Sequence, residues 1–209
     1  METVLILDFG AQYSQLIARR VREQNVYCEV KPCSISPAEI EKIAPIGIIL
    51  SGGPQSVYES VSPHVDPALF ALGIPVLGIC YGCQLMAYSL GGTVAAATEA
   101  TAREYGKTLT EFDTESAIFH GLPASSVTWM SHGDYISQVP DGFTVTAKTA
   151  VCPTAAMACP EKKLYGVQFH PEVQHTVQGS EILRRFLYSV CGASGDWTMA
   201  DYRQTAIRA

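Results

Sequence analysis

Basic charge is what this chain most lacks: 14 lysines and arginines stand against 20 aspartates and glutamates, a formal net charge of −6. Nucleic acid is bound through clustered Lys and Arg, and the densest basic patch here, Arg184-Arg185, is too short for that. Long apolar runs are missing as well, with no window near the roughly 18 uninterrupted residues a membrane helix needs. The start, METVLILDFG, has an acidic second residue and no basic leader, so it reads as a first core strand and not as a signal peptide. Repeats and low-complexity segments are absent too. The seven cysteines are an odd number without the spacing of a disulfide-stapled secreted domain. Free thiols in a reducing cytoplasm are expected, with neither nucleic acid nor membrane as partner.

What is present is an ordinary globular composition, 47% hydrophobic, in 209 residues, and one domain is the default. Apolar β-branched runs (VLILDFG, GIILSGG, PVLGIC) alternate with helical patterns (YSQLIARRVRE, SPAEIEKIA, DPALFAL, CQLMAYSL) through the first half. This predicts an α/β fold: an open, mainly parallel sheet with helices on both faces. Tyr13, Leu16, Ile17 and Val21 make one helical stripe, and Ser36 before Pro37 is a helix start. After Gly92 the stretches shorten and alternate, which predicts a small antiparallel extension. Ile182, Leu183, Phe186, Leu187 and Val190 predict a last amphipathic helix stopped at Cys191-Gly192. Residues 1–191 are thus expected to be the domain, and 192–209 a linker and the start of another helix.

Ligands of open α/β sheets bind at the carboxyl ends of strands, and three such ends carry chemistry. GICYGCQ at 78–84 has the layout of a nucleophile elbow, with Cys80 between Gly78 and Gly82 at a strand-to-helix turn. A helix N-terminus there favours a thiolate. GVQFHPE at 166–172 puts His170 and Glu172 two apart on one side of an extended segment, as a base and the group that orients it. SGGP at 51–54 offers backbone N–H groups that, with that of Tyr81, can face an oxyanion. Each has a plainer reading taken singly: a buried cysteine in a glycine turn, a capping His beside a solvated Glu, an ordinary strand-to-loop turn.

The same residues allow rivals. Cys80-x-x-Cys83 is also the form of a thiol-redox pair, but that leaves His170 and Glu172 without work. The zinc deaminase order, H-x-E before P-C-x-x-C, is reversed here, and Ile79 stands where the proline belongs. Cys152 and Cys159 are spaced too far for the usual zinc ligand pair, so no metal is expected.

Cysteine elbow, glycine loop and late His-Pro-Glu, in that order, resemble the class I glutamine amidotransferases, whose fold is flavodoxin-like. Finer features are similar to the GMP synthase branch of that family: LDFGAQYSQLIARRVRE, REYGK, WMSHGDYI, HPEVQHTVQG and CGASGDW. The resemblance implies Cys80, His170 and Glu172 as catalytic residues acting on glutamine, and Gly53 and Tyr81 as oxyanion donors. It further implies Gln84, Ser131, His132 and Asp134 as substrate-binding residues. It implies no cofactor in this domain. ATP and Mg would belong to a synthetase partner, an ATP-pyrophosphatase half that adenylates xanthosine monophosphate and aminates it to GMP. No Ser-Gly-Gly-Val-Asp-Ser-type loop occurs in this chain, which makes it a glutaminase half, and its tail reads as leading toward that missing domain. Other acceptors of the family, in CTP, carbamoyl phosphate or anthranilate synthesis, stay open. The family commonly has Met where this chain has Cys83, so Cys83 is expected to be a packing residue.

Overall fold

A computed structural model describes residues 1–97, 103–200 and 202. The main sheet is built first by β1 (Thr3–Asp8), β2 (Tyr27–Pro32), β3 (Gly47–Leu50) and β4 (Val76–Ile79). Their crossovers include α1 (Ser14–Glu23) and α2 (Pro37–Ile43), and α3 (Tyr81–Ser89) follows β4. Then come β5 (Thr93–Ala96), β6 (Glu104–Phe112), β7 (Ser125–His132), β8 (Asp134–Gln138), β9 (Thr144–Lys148), β10 (Ala156–Cys159) and β11 (Leu164–Val167). The last element is α4 (Gly179–Arg185), continued by a π-helical turn over Phe186–Val190.

The strand order is β2-β1-β3-β4-β11-β10-β9-β6-β7, parallel from β2 to β11 and antiparallel beyond. β5 and β8 pair apart from it as a small antiparallel ribbon. The stretches after Gly92 therefore divide. Those forming β6, β7, β9 and β10 lengthen the main sheet, because β11 returns to pair with β4 and carries its hairpin partner β10 with it.

Strand alternation sends successive side chains to opposite faces and so creates two cores. Val4, Ile6, Ile49, Leu77 and Val167 pack under α1 and α4, whereas Leu5, Leu7, Ile48, Leu50 and Leu164 pack under α2 and α3. Uninterrupted apolar strands are what burial on both faces requires. The start of α2 is a capping box: Ser36 Oγ accepts from the Glu39 N–H at 3.3 Å, and Glu39 Oε2 accepts from the Ser36 N–H at 2.9 Å.

Two local expectations change. Tyr13 is the exposed N-cap of α1 and not part of its buried stripe, which is Ser14, Ile17, Ala18 and Val21. The segment Pro67–Ala71 is a 3-10 turn, opened by Asp66 Oδ1 accepting from the Ala68 N–H, in place of a full α-helix. The tail after Gly192 lies against the domain at its start: Ser194 donates to Glu2, and Trp197 and Tyr202 pack on Tyr27. The rest of the expected linker helix, residues 201 and 203–209, lies outside the described residues. Among the described residues no helix is long and apolar enough to cross a membrane.

Candidate active site

The carboxyl ends of β3, β4 and β11 lie side by side in the sheet, and they bring the three sequence motifs together. Cys80 is the N-cap of α3 with φ 52° and ψ −106°, a left-handed backbone that costs a non-glycine residue about 1–3 kcal/mol. Both ends of that turn are tied: the Cys80 N–H donates to the Val167 carbonyl at 2.8 Å, and the Cys80 carbonyl accepts from the Gln84 N–H at 3.1 Å. Glycines make the turn possible by close approach. A Cβ on Gly82 would lie 2.5 Å from the Leu50 carbonyl oxygen, and one on Gly78 would lie 2.6 Å from the Gly82 carbonyl oxygen.

His170 leaves the end of β11 with its backbone clipped on both sides. Its N–H donates to the Trp129 carbonyl at 3.0 Å, and its carbonyl accepts from the Thr176 hydroxyl at 2.6 Å. The imidazole Nδ1 is 2.7 Å from Glu172 Oε1, both side chains being buried, so Nε2 is the nitrogen left for Cys80. Arg20 Nε holds the Glu172 backbone carbonyl at 3.0 Å, and the Tyr13 ring stands edge-on to the imidazole. Burial by itself pulls the His170 pKa down. The hydrogen bonds and charges of Cys80 and Glu172 act the other way and prevail, pushing it up to about 11. At neutral pH the imidazole therefore holds its proton, and the resting pair is an imidazolium beside the sulfur.

The SGGP loop closes over this pair. A Cβ on Gly52 would meet His170 Cε1 at 3.2 Å and Cys80 Cβ at 3.8 Å, so a side chain there would crowd the imidazole. The Gly82 N–H donates to the Ser51 carbonyl at 3.2 Å, and Gly53 lies against the Tyr81 ring. Tyr81 opens α3, where helix geometry leaves amides without an intrahelical acceptor.

Cys80, Gly53, Tyr81, Gln84, Ser131, His132 and Asp134 all border one cavity of about 460 Å3. The Ser131 carbonyl lies 3.7 Å from the Cys80 sulfur. The Asp134 carboxylate accepts from Ser56 at 2.5 Å and from Tyr58 at 3.0 Å. His132 has both ring nitrogens engaged, Nδ1 with the Asp134 carbonyl and Nε2 with Glu104, so its backbone is what it can offer the cavity. The Gln84 amide nitrogen is likewise spent on the Asp134 carbonyl and on Gln168, both at 3.0 Å. A second cavity of about 450 Å3, walled by Glu2, Tyr27, Ser194 and Trp197, shares no residue with this one and is lined by no cysteine or histidine.

Sequence reading passed over Gln168, whose Nε2 reaches the Cys80 sulfur at 3.5 Å, although it stands within GVQFHPE two residues before His170. It also passed over Ser56, Tyr58 and Glu104. Ser56 and Tyr58 follow SGGP without any motif spacing. Cys83 is fully buried on the sheet side of α3, where a Cβ on Gly166 would come within 2.5 Å of its sulfur. Burial pushes its thiol well above the ordinary range, in keeping with a packing residue. Cys152 and Cys159 lie in different cores and cannot share an ion. Glu104, His132 and Cys152 do converge, their ligand atoms within 4.8 Å of one another. Each already has a protein partner, and burial with the Glu104 charge pushes the Cys152 thiol up to about 12.

Comparison with known proteins agrees with this arrangement. The family model of class-I glutamine amidotransferases matches residues 5–190. GMP synthase (glutamine-hydrolyzing) of Caldanaerobacter subterraneus is 59% identical over 95% of the chain, and that of Clostridium botulinum is 54% identical over 99%. The chain spans about 40% of the length of these relatives. Among solved structures, one described as a GMP synthase subunit from Thermoplasma acidophilum superposes with a TM-score of 0.78 at 31% identity, covering 99% of this chain and 98% of that one. A glutamine amidotransferase of Thermotoga maritima, at 20% identity over 92% of this chain and 99% of its own, shares the fold with a TM-score of 0.72. The chain belongs to the class-I glutamine amidotransferase family.

Proposed function

We propose that this chain is the glutaminase component of a cytoplasmic GMP synthase. It hydrolyses glutamine to glutamate and ammonia, and an ATP-pyrophosphatase half outside this chain uses the ammonia to convert adenylated xanthosine monophosphate to GMP. The observation that carries the chemistry is the 2.7 Å contact of His170 with Glu172, beside Cys80 at the wall of a cavity. The choice of acceptor rests on the similarity to GMP synthases along nearly the whole chain.

In this reading the Cys80 thiolate attacks the carboxamide carbon of glutamine, forming the S–C bond while the carbonyl electron pair moves onto oxygen. The N–H groups of Gly53 and Tyr81 hold that oxyanion. Collapse of the intermediate breaks the C–N bond, and His170 Nε2 gives its proton to the departing nitrogen, leaving ammonia and a glutamyl thioester. A water then attacks the thioester and passes a proton to His170. Cleavage of the S–C bond releases glutamate and restores the thiolate, for a net reaction of glutamine plus water to glutamate plus ammonia. Glu172 keeps Nδ1 protonated and the ring aimed. The Asp134 carboxylate, with Ser56 and Tyr58, offers a seat for the α-amino group of glutamine. No step uses a cofactor in this domain; ATP and Mg serve the synthetase half.

The test is peptide mapping after exposure to an electrophilic glutamine analogue, followed by assay of GMP formation with the synthetase half, ATP, Mg and xanthosine monophosphate. One adduct on Cys80, prevented by excess glutamine, and glutamine-driven GMP formation are expected. Adducts scattered over several cysteines without protection, in the presence of the synthetase half, would sink the reading.

A further inference from the structure

The REYGK segment contributes no group to the chemistry above, yet Glu104 lies buried at the start of a continuous line of polar contacts that ends on the nucleophile. Thr149 Oγ1 accepts from the N–H groups of Val151 and Cys152, so its hydroxyl proton goes to Glu104 Oε1 at 2.5 Å. Glu104 Oε2 is 3.1 Å from His132 Nε2, with 5% and 2% of the two side chains exposed. The other imidazole nitrogen, Nδ1, is 2.8 Å from the Asp134 carbonyl oxygen. A carbonyl only accepts, so Nδ1 carries a proton, and the 3.1 Å contact on the other side requires a second proton shared between Nε2 and Glu104 Oε2, since two acceptors do not bond. The same carbonyl accepts from Gln84 Nε2 at 3.0 Å, and that nitrogen also donates to Gln168 Oε1 at 3.0 Å. With its oxygen turned to Gln84, the Gln168 amide presents Nε2 to the Cys80 sulfur at 3.5 Å.

We propose that Glu104 is a positioning residue for the glutaminase site, acting through His132 and the Asp134 carbonyl on Gln84 and Gln168. The pair does two things at once. It pins the backbone that carries the Asp134 carboxylate into the cavity, and it orders the amide that donates to the sulfur. Without Glu104, His132 loses the partner that holds its ring against the Asp134 carbonyl, and a buried ring nitrogen is left underpaired. Glutamine would then meet a displaced Asp134, and the sulfur a Gln168 amide free to turn over. The first effect rests on the function proposed above; the second does not.

The test uses Glu104→Leu, Glu104→Gln, Gln84→Leu and the Glu104→Leu/Gln84→Leu double variant, with two readouts. One is glutamine hydrolysis with the synthetase half present, and the other is alkylation of Cys80 by iodoacetamide at pH 7, which needs no glutamine. Glutamine at position 104 can still accept from Thr149 and donate to Nε2 of His132, so Glu104→Gln is expected to stay within about threefold of the unaltered protein. Glu104→Leu is expected to raise the KM for glutamine about tenfold and to slow Cys80 alkylation several-fold. In the double variant the alkylation effect is expected to be much less than the product of the two singles, because both break one line of contacts. Equal damage from Gln and Leu at position 104, multiplicative effects in the double variant, or alkylation unmoved in folded protein would each overturn the proposal. Should Glu104→Leu not fold, Thr149→Val, which removes the hydroxyl donor to Glu104, replaces it in the cycle. Failure of the unaltered chain to turn over glutamine with its partner would count against the glutaminase reading, while the alkylation cycle still decides the relay.

Discussion

Glu172 holds His170 by one oxygen only: Oε1 is 2.7 Å from Nδ1, while Oε2 is buried with no hydrogen-bond partner among the described residues. A buried carboxylate oxygen left unpaired is costly, and what offsets it here is the charge of the adjoining imidazolium. Glu172→Gln keeps an acceptor for Nδ1 and removes the carboxylate charge that holds the imidazolium. It is expected to lower glutamine hydrolysis by about a hundredfold or more, the order associated with a mis-set general acid. Steady-state ammonia release checks this, and a loss of less than about threefold would remove Glu172 from the mechanism.

The His170 proton is held by two neighbours against the pull of burial. Cys80→Ala removes one of them, so the His170 midpoint, about 11 in the unaltered protein, is expected to fall by more than one unit in an NMR titration of the imidazole. An unchanged midpoint would mean that sulfur and imidazole do not form a pair.

Thiols deep in the core make the fold sensitive to alkali. Burial pushes Cys28 up to about 11 against an ordinary 9.0, with Arg22 pulling the other way. A group whose folded pKa is raised contributes stability that is complete below its unfolded value and is lost as pH climbs toward the folded one. The window here opens near pH 9. Urea unfolding is expected to show the unaltered protein losing stability between pH 8 and pH 10, and Cys28→Ala losing about 1 kcal/mol less over that interval.

Gly82 is where α3 touches the sheet. A methyl there would sit 2.5 Å from the Leu50 carbonyl oxygen and 2.6 Å from Leu50 Cβ, both held by the β3 backbone. Gly82→Ala is expected to cost about 3 kcal/mol in urea unfolding, and to cut turnover of the protein that does fold, because the helix can yield only by moving the Cys80 turn.

Cys83 packs on Gly166 beneath the same helix. Cys83→Ala is expected to cost on the order of 1 kcal/mol in stability while leaving Cys80 labelling by a glutamine analogue intact. Loss of labelling as complete as in Cys80→Ala would revive the thiol-redox reading.

Helix starts, buried strands and the elbow were legible in the chain because their causes are local. Ser36 and Glu39 cap a helix from three residues apart, VLIL and GIIL are apolar at every position, and Gly78 and Gly82 flank Cys80 within a single turn. The pairing of His170 with Glu172 was also expected from the sequence, though on the ground of an extended segment; β11 ends at Val167 and the two side chains meet across a turn. Folding decided what lies between distant residues. Glu104 meets His132 across 28 positions, Gln84 meets Gln168 across 84, and Gln168 meets Cys80 across 88. Those contacts depend on which strand lies beside which and in what register, and a one-residue slip would turn every side chain of a strand to the other face. The path of β6 and β7 into the main sheet and the line from Glu104 to the sulfur both have that origin. Neighbours along the chain set the motifs; only the packed sheet, which lays β11 beside β4 and brings the end of β7 against His170 and the Cys80 sulfur, joins them into one site.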